Sequence, residues 1–161
     1  MNKQDRFLEI YEPCRERLWK FILSFINNRF DAKDIMSETT LRAYENFDNI
    51  NDNTAFLSYL FTTARRLIYR RTLFNKRIDG SSKFEPDDIA NSDFGAENLQ
   101  QLNELYAALD KISKKQKEAI VLTAINGLSY SEAAIIMSTN VENIKKLVFR
   151  GREKLKNLLD N

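Results

Sequence analysis

Hydrophobic residues recur along most of this chain at spacings of three and four, which predicts a run of helices. Phe7, Ile10, Tyr11, Cys14, Leu18, Phe21, Ile22 and Phe25 mark the first helix, near residues 4–27. A second, near 31–47, carries Ala32, Ile35, Met36, Thr39, Ala43 and Phe47 on one side. A third, near 54–76, carries Phe56, Leu57, Leu60, Phe61, Ala64, Leu67 and Ile68. The period then stops. Residues 78–97 hold two of the four glycines, one of the two prolines and six acidic side chains, the composition of a flexible linker. Helical spacing returns near 98–111, 114–126, 130–138 and 141–158. The pattern predicts an all-α chain of two small helical domains. An N-terminal helical bundle (1–77) and a C-terminal helix-turn-helix domain (98–161) flank an acidic linker (78–97).

Composition narrows the chemistry. The lone Cys14 leaves no disulfide within one chain and fits a reducing compartment. There is no histidine, which excludes His-based acid–base catalysis and argues against a structural zinc site. No phosphate loop or nucleophile–base pair stands out, so no enzyme activity, metal, cofactor or small-molecule substrate is expected. The polar start, Met1-Asn2-Lys3-Gln4-Asp5-Arg6, opens no long apolar run. The expectation is a cytoplasmic protein without signal peptide or membrane span.

Charge is distributed unevenly. Residues 1–77 carry 14 Lys/Arg against 10 Asp/Glu, residues 78–100 carry 1 against 6, and residues 101–161 carry 10 against 7. Two basic lobes around an acidic segment fit two contacts with one polyanion, and equally two solvated helical surfaces.

Three helix faces carry candidate function. In helix 31–47, Asp34, Glu38, Leu41 and Glu45 lie opposite the apolar side. Leu41 in a carboxylate stripe is either a stray exposed leucine or the apolar centre of a protein-binding face with a charged rim. In helix 54–76, Tyr59, Tyr69, Arg66 and Arg70 lie opposite the apolar arc, with Arg65 alongside. Rings interleaved with arginines suit single-stranded nucleic acid, each stacked base contributing about 1–3 kcal/mol. The other reading is a basic surface edged by tyrosines.

The third face is in the last helix. Gly127-Leu128-Ser129-Tyr130-Ser131-Glu132-Ala133-Ala134 leads through Ser138-Thr139-Asn140 into a helix with one apolar arc (Val141, Ile144, Leu147, Val148, Leu155, Leu158, Leu159). Glu142, Asn143, Lys146, Arg150, Lys154 and Asn157 lie opposite. Gly127 suits the left-handed end of a helix and Asn140 the N-cap of the next. The arrangement reads as a helix-turn-helix whose second helix enters a DNA major groove, as against an ordinary amphipathic helix. An amide there can pair with adenine, and cations can reach guanine or phosphate.

These pieces stand in an order that resembles the bacterial sigma factors of the extracytoplasmic-function group. Asp31-Ala32-Lys33-Asp34-Ile35-Met36-Ser37-Glu38 is similar to the family's Asp-Ala-Glu-Asp-Leu-Val-Gln-Glu motif. Phe56-Leu57-Ser58-Tyr59-Leu60-Phe61-Thr62-Thr63-Ala64-Arg65-Arg66 is similar to its Phe-x-x-Trp-Leu-x-x-Ile-Ala-Arg-Asn. The C-terminal segment resembles Gly-Leu-Ser-Tyr-x-Glu-Ile-Ala followed by Val-Lys-Ser-Arg-Leu-x-Arg-Ala-Arg. Lys145, Arg150 and Arg152 match that pattern. Ser138, Asn143 and Leu147 depart from it, replacing the family's Gly, Thr and Arg.

The resemblance implies a non-catalytic subunit that binds core RNA polymerase and directs it to promoters. It gives the clamp of the largest subunit to Asp31, Asp34, Glu38, Leu41 and Glu45, and it implies a further contact with the flap. It gives the melted downstream element to Asn49, Asn51 and Asn53 in the loop 46–53 and to Tyr59, Arg65, Arg66, Tyr69 and Arg70. It gives the upstream element, as duplex, to Ser129, Asn140, Glu142, Asn143, Lys145, Lys146, Arg150 and Lys154. It implies that the acidic linker threads basic polymerase channels as a nucleic-acid mimic, and that an anti-sigma factor holds the protein inactive. A stand-alone helix-turn-helix regulator or a helical adaptor with solvated basic faces would fit the same faces without polymerase.

Overall fold

Asparagine and serine caps set the punctuation of the first unit. In a computed structural model that describes residues 1–79 and 99–160, α1 spans Lys3–Leu23, with the Asn2 side chain accepting from the Asp5 N–H at 2.7 Å. The helix stops at Ser24, short of the predicted residue 27. The Ser24 hydroxyl donates to the Lys20 carbonyl at 2.8 Å, offering the chain a local exit. Asn28 then caps α2 (Arg29–Glu45), accepting from the N–H groups of Phe30 and Asp31 at 2.8 and 3.2 Å, so α2 begins two residues earlier than predicted.

A 3-10 turn at Phe47–Asn49 leads to α3 (Asn53–Asp79). The predicted end at 76 falls short: Ile78 and Asp79, the first two residues of the predicted linker, continue the helix. Lys76 and Arg77 in its last turn suit the negative end of the helix dipole. The rest of the predicted acidic linker lies outside the described residues.

The three helices enclose an aromatic core. Phe7 stacks on Tyr11 (ring centroids 5.2 Å apart) and meets Tyr44, Phe47 and Phe56 edge-on at 5.3, 5.5 and 5.8 Å. Phe21 meets Phe61 at 5.1 Å. Edge-on pairs each add about 0.5–1.5 kcal/mol beyond the area they bury. Every apolar position predicted for α3, from Phe56 to Ile68, is buried.

The second unit begins with α4 (Leu99–Leu109) and α5 (Lys114–Ile120). Ser113 and Gln116 form a capping box at the start of α5, with bonds of 3.1 and 3.3 Å. The single helix predicted over 114–126 is instead α5 followed by a π turn at Val121–Ile125. Gly127, at φ +71°, closes that turn, and the Leu128 N–H reaches back to the Leu122 carbonyl at 3.0 Å. The wider turn leaves Asn126 buried, where its Nδ2 donates to the Val121 carbonyl at 3.0 Å.

Next come α6 (Tyr130–Ile136) and α7 (Val141–Leu159). The turn between them passes through Ser138 at φ +55°, a left-handed conformation for a residue with a side chain. Ile144, Val148 and Leu155 of α7 are buried, as their spacing predicts, whereas Leu158 and Leu159 at its end are exposed. Gly151 is also buried, because α7 passes close to α5 there. A β-carbon on it would stand 2.6 Å from Ile120 Cδ1 and 3.3 Å from Gln116 Cβ. Among the described residues every regular element is helical, and no helix is long and apolar enough to cross a membrane.

Candidate nucleic-acid and partner interfaces

The outward face of α2 follows from its inward one. Ala32, Ile35, Thr39 and Ala43 are buried, which turns Asp34, Glu38, Leu41 and Glu45 to solvent. Leu41 is 56% exposed in their midst. Glu38 is not a free carboxylate, since Arg42 Nη2 lies 2.7 Å from its Oε1.

Asp31 differs from its four companions. It is partly buried and faces α3, where Arg71 Nη1 meets its Oδ1 at 2.5 Å and Asn75 Nδ2 its Oδ2 at 3.2 Å. The same guanidinium reaches Asp34 at 3.5 Å. Asp31 thus fastens the first turn of α2 to the last turns of α3, and a partner seated on α2 would meet Asp34, Glu38, Leu41 and Glu45 first.

On α3, Arg66, Tyr69 and Arg70 are exposed, with Tyr69 at 63%. Arg65 is half-buried. Tyr59 is half-buried too. Its hydroxyl accepts from Asn46 Nδ2 at 2.9 Å and donates to the Arg42 carbonyl at 3.3 Å, tying α3 to the end of α2. The hydroxyl end of the ring is therefore held at Asn46, where the segment begins that runs through Asn49 and Asn51 to Asn53, the first residue of α3; all three asparagines are exposed. Within that loop, Asp48 pairs with Lys3 and Arg6 of α1 at 3.6 and 3.9 Å.

In the second unit, two residues expected at DNA are helix caps. The Ser129 hydroxyl accepts from the Glu132 N–H at 3.0 Å while Glu132 accepts from the Ser129 N–H at 2.9 Å. Asn140 accepts from the Asn143 N–H at 2.8 Å. Asn143 is half-buried, and its Nδ2 donates to Thr139 Oγ1 at 3.0 Å. Glu142, Lys145, Lys146, Arg150 and Lys154 are exposed along α7, with Lys145 3.6 Å from Glu142.

Arg71 and Asn46 escaped the sequence reading because they act on residues 40 and 13 positions away, and no local pattern marks such pairs. Phe149 escaped it for another reason: it is 64% exposed beside the charged residues of α7, and an apolar side chain there carries no mark of polar contact.

Two family models match, one in each unit: Sigma-70 region 2 over residues 10–78 and Sigma-70, region 4 over residues 102–155. The ECF RNA polymerase sigma factor EcfG of Rhodopseudomonas palustris is 36% identical over 149 residues, covering 86% of this chain and 77% of that protein. The chain belongs to the ECF RNA polymerase sigma factors.

Other members resemble this sigma factor across nearly its full length. SigW of Bacillus subtilis is 27% identical over 97% of this chain and 90% of its own. The solved structure of RpoE in complex with the anti-sigma factor NepR from Bartonella quintana superposes with a TM-score of 0.74 at 27% identity. It covers 98% of this chain and 96% of that one. CnrH in complex with the cytosolic domain of CnrY gives the same TM-score at 25% identity, covering 98% and 89%. Membership gives the protein a role in promoter-directed transcription by RNA polymerase, as a sigma factor.

Proposed function

We propose that this sigma factor docks on core RNA polymerase through the outward face of α2 and reads its promoter in two forms. Asp34, Glu38, Leu41 and Glu45 seat the clamp of the largest subunit, with Asp31 holding the helix that presents them. Asn49 and Asn51 of the loop before α3 and Asn53 at its start, with Tyr59, Arg65, Arg66, Tyr69 and Arg70, take the melted downstream element. The flap and the upstream duplex meet the helix-turn-helix unit, where Lys145, Lys146, Arg150 and Lys154 supply positive charge and Ser129 and Asn140 set the helices. No catalytic residue, metal or small-molecule substrate enters this reading, which puts the protein in the cytoplasm with the polymerase. RpoE, held by NepR, supports an anti-sigma factor as a further partner.

The observation that carries the docking reading is Leu41, an exposed apolar side chain among carboxylates on a helix whose other side buries Ala32, Ile35, Thr39 and Ala43. Such a centre, desolvated on binding, typically contributes about 2 kcal/mol or more, a change of roughly thirtyfold in affinity. Fluorescence anisotropy of labelled protein with core polymerase tests it. Leu41→Glu and Glu38→Arg should each weaken binding at least that much while the melting temperature stays put. Equal binding by both variants would remove α2 as the docking face.

A further inference from the structure

The segment between α2 and α3 is fastened at both ends. At its start Phe47 is buried and meets Phe7 of α1 and Phe56 of α3 edge-on at 5.5 and 6.0 Å. The Asp48 carboxylate lies 3.6 Å from Lys3 Nζ and 3.9 Å from Arg6 Nη2, both on α1. At its end Asp52 Oδ1 accepts from the Ala55 N–H at 2.7 Å and starts α3. Between these anchors stand Asn49, Ile50 and Asn51. The N–H groups of Asn49 and Ile50 donate to the carbonyls of Asn46 and Phe47 at 3.0 and 3.1 Å.

We infer that Lys3 and Arg6 are positioning residues: through Asp48 they hold this loop in one shape and so set how strictly Asn49 and Asn51 discriminate between bases, without themselves touching DNA. This rests on, and deepens, the proposed reading of the melted downstream element by that loop. Both cations are already engaged within the protein. Lys3 Nζ stands 4.6 Å from the centroid of the Tyr44 ring and the Arg6 guanidinium 5.9 Å from that of Phe47, each while paired with Asp48. An exposed ion pair by itself contributes little, because two long side chains must be ordered to make it. Here the rings hold the cations, the Asn2 cap orders the turn of α1 that carries them, and one carboxylate takes both.

The consequence falls on selectivity more than on affinity. An asparagine held in place leaves its donors and acceptors unpaired against the wrong base, which is costly, whereas one on a slack loop turns to suit whatever arrives. Ordering the loop beforehand also removes that cost from the binding step.

The test starts with wild-type holoenzyme selecting from a promoter library randomised in the downstream element. Binding of the winner and of its single-base variants is then compared between wild type and the double variant Lys3→Gln, Arg6→Gln, at a temperature where both are folded. The preference for the winner should fall about fivefold at one or two positions, near the upper end for exposed pairs, with an unchanged dependence of affinity on salt. In the full chain the amides of Asn49 and Ile50 should exchange with solvent correspondingly faster. Lys3→Arg with Arg6→Lys keeps both charges and should keep the preference. Asp48→Ala should lower the preference as the double variant does. A carboxylate that merely faced DNA would give the opposite result, since its removal tightens binding to every sequence.

A uniform loss of affinity in the double variant, with a salt slope smaller by about one per cation removed, would make Lys3 and Arg6 phosphate contacts and overturn the inference. An unchanged preference in the double variant overturns it as well, and in both cases selection of a downstream sequence leaves the reading of the melted element standing. If wild-type holoenzyme enriches no downstream sequence, that reading falls and the inference falls with it.

Discussion

Ser129 separates a structural role from a DNA contact, and the two have opposite signatures. The family resemblance puts it at the DNA, whereas its hydroxyl caps α6 and its own N–H is capped in return by Glu132. Ser129→Ala deletes the first bond and leaves the Glu132 N–H without its partner, at a cost of about 1 kcal/mol. In a unit of this size that lowers the melting temperature by about 4–8 °C. Ser129→Asp restores an acceptor for the N–H and puts a negative charge at the positive end of the helix, so stability should return to the wild-type level or above. The assay is thermal unfolding of the full chain followed by circular dichroism, beside salt-dependent binding of holoenzyme to promoter duplex. A cap predicts that alanine destabilises and aspartate does not. Unchanged stability in Ser129→Ala together with weakened promoter binding would refute the capping argument and return the residue to the DNA interface.

Three more outcomes follow from the second unit. Gly151→Val forces a branched side chain into the α5–α7 crossing, where Ile120 is buried and has little room to yield; a loss of about 1–3 kcal/mol in urea unfolding is expected. Ser138→Gly removes the penalty of a left-handed serine, offset in part by the greater freedom of glycine when unfolded, and should raise stability by about 0.5–1 kcal/mol. Burial holds the Lys117 ammonium below its usual pKa although Asp110 Oδ1, 2.6 Å away, pulls the other way. Between the lowered folded value and the ordinary lysine value the unfolded chain binds the extra proton, so this residue makes stability rise with pH through that window. Lys117→Met should abolish that slope in urea midpoints compared across alkaline pH.

What the sequence reveals and what it hides divide along the range of the interaction. The buried arcs of α3 and α7 are legible because a helix writes its inward side every three or four residues, and Phe56 to Ile68 and Ile144 to Leu155 obey that rule. Caps are legible for the same local reason, Asn140 above all. The split of the predicted helix 114–126 is not, since a π turn has no composition of its own and Asn126 is held by a carbonyl five residues back. Gly151 gives no hydropathy signal despite being buried, because its contribution is the absence of a side chain. Asp31 and Asp34 look alike in sequence. Only the approach of Arg71, 40 residues on from Asp31, turns one of them inward.

The Asp31 clamp and the Tyr59 hydroxyl sit at opposite ends of α2. The first joins its opening turn to Arg71 and Asn75, the second joins its closing turn to the start of α3. A helix pinned at one end can swivel; one pinned at both cannot roll about its own axis without breaking a charged bond or a hydroxyl bond. The stripe around Leu41 and the stripe around Arg66 and Tyr69 therefore keep a constant angle to each other. Whatever seats itself on the first aims the second, as a tool is aimed by its handle, with no moving part between them.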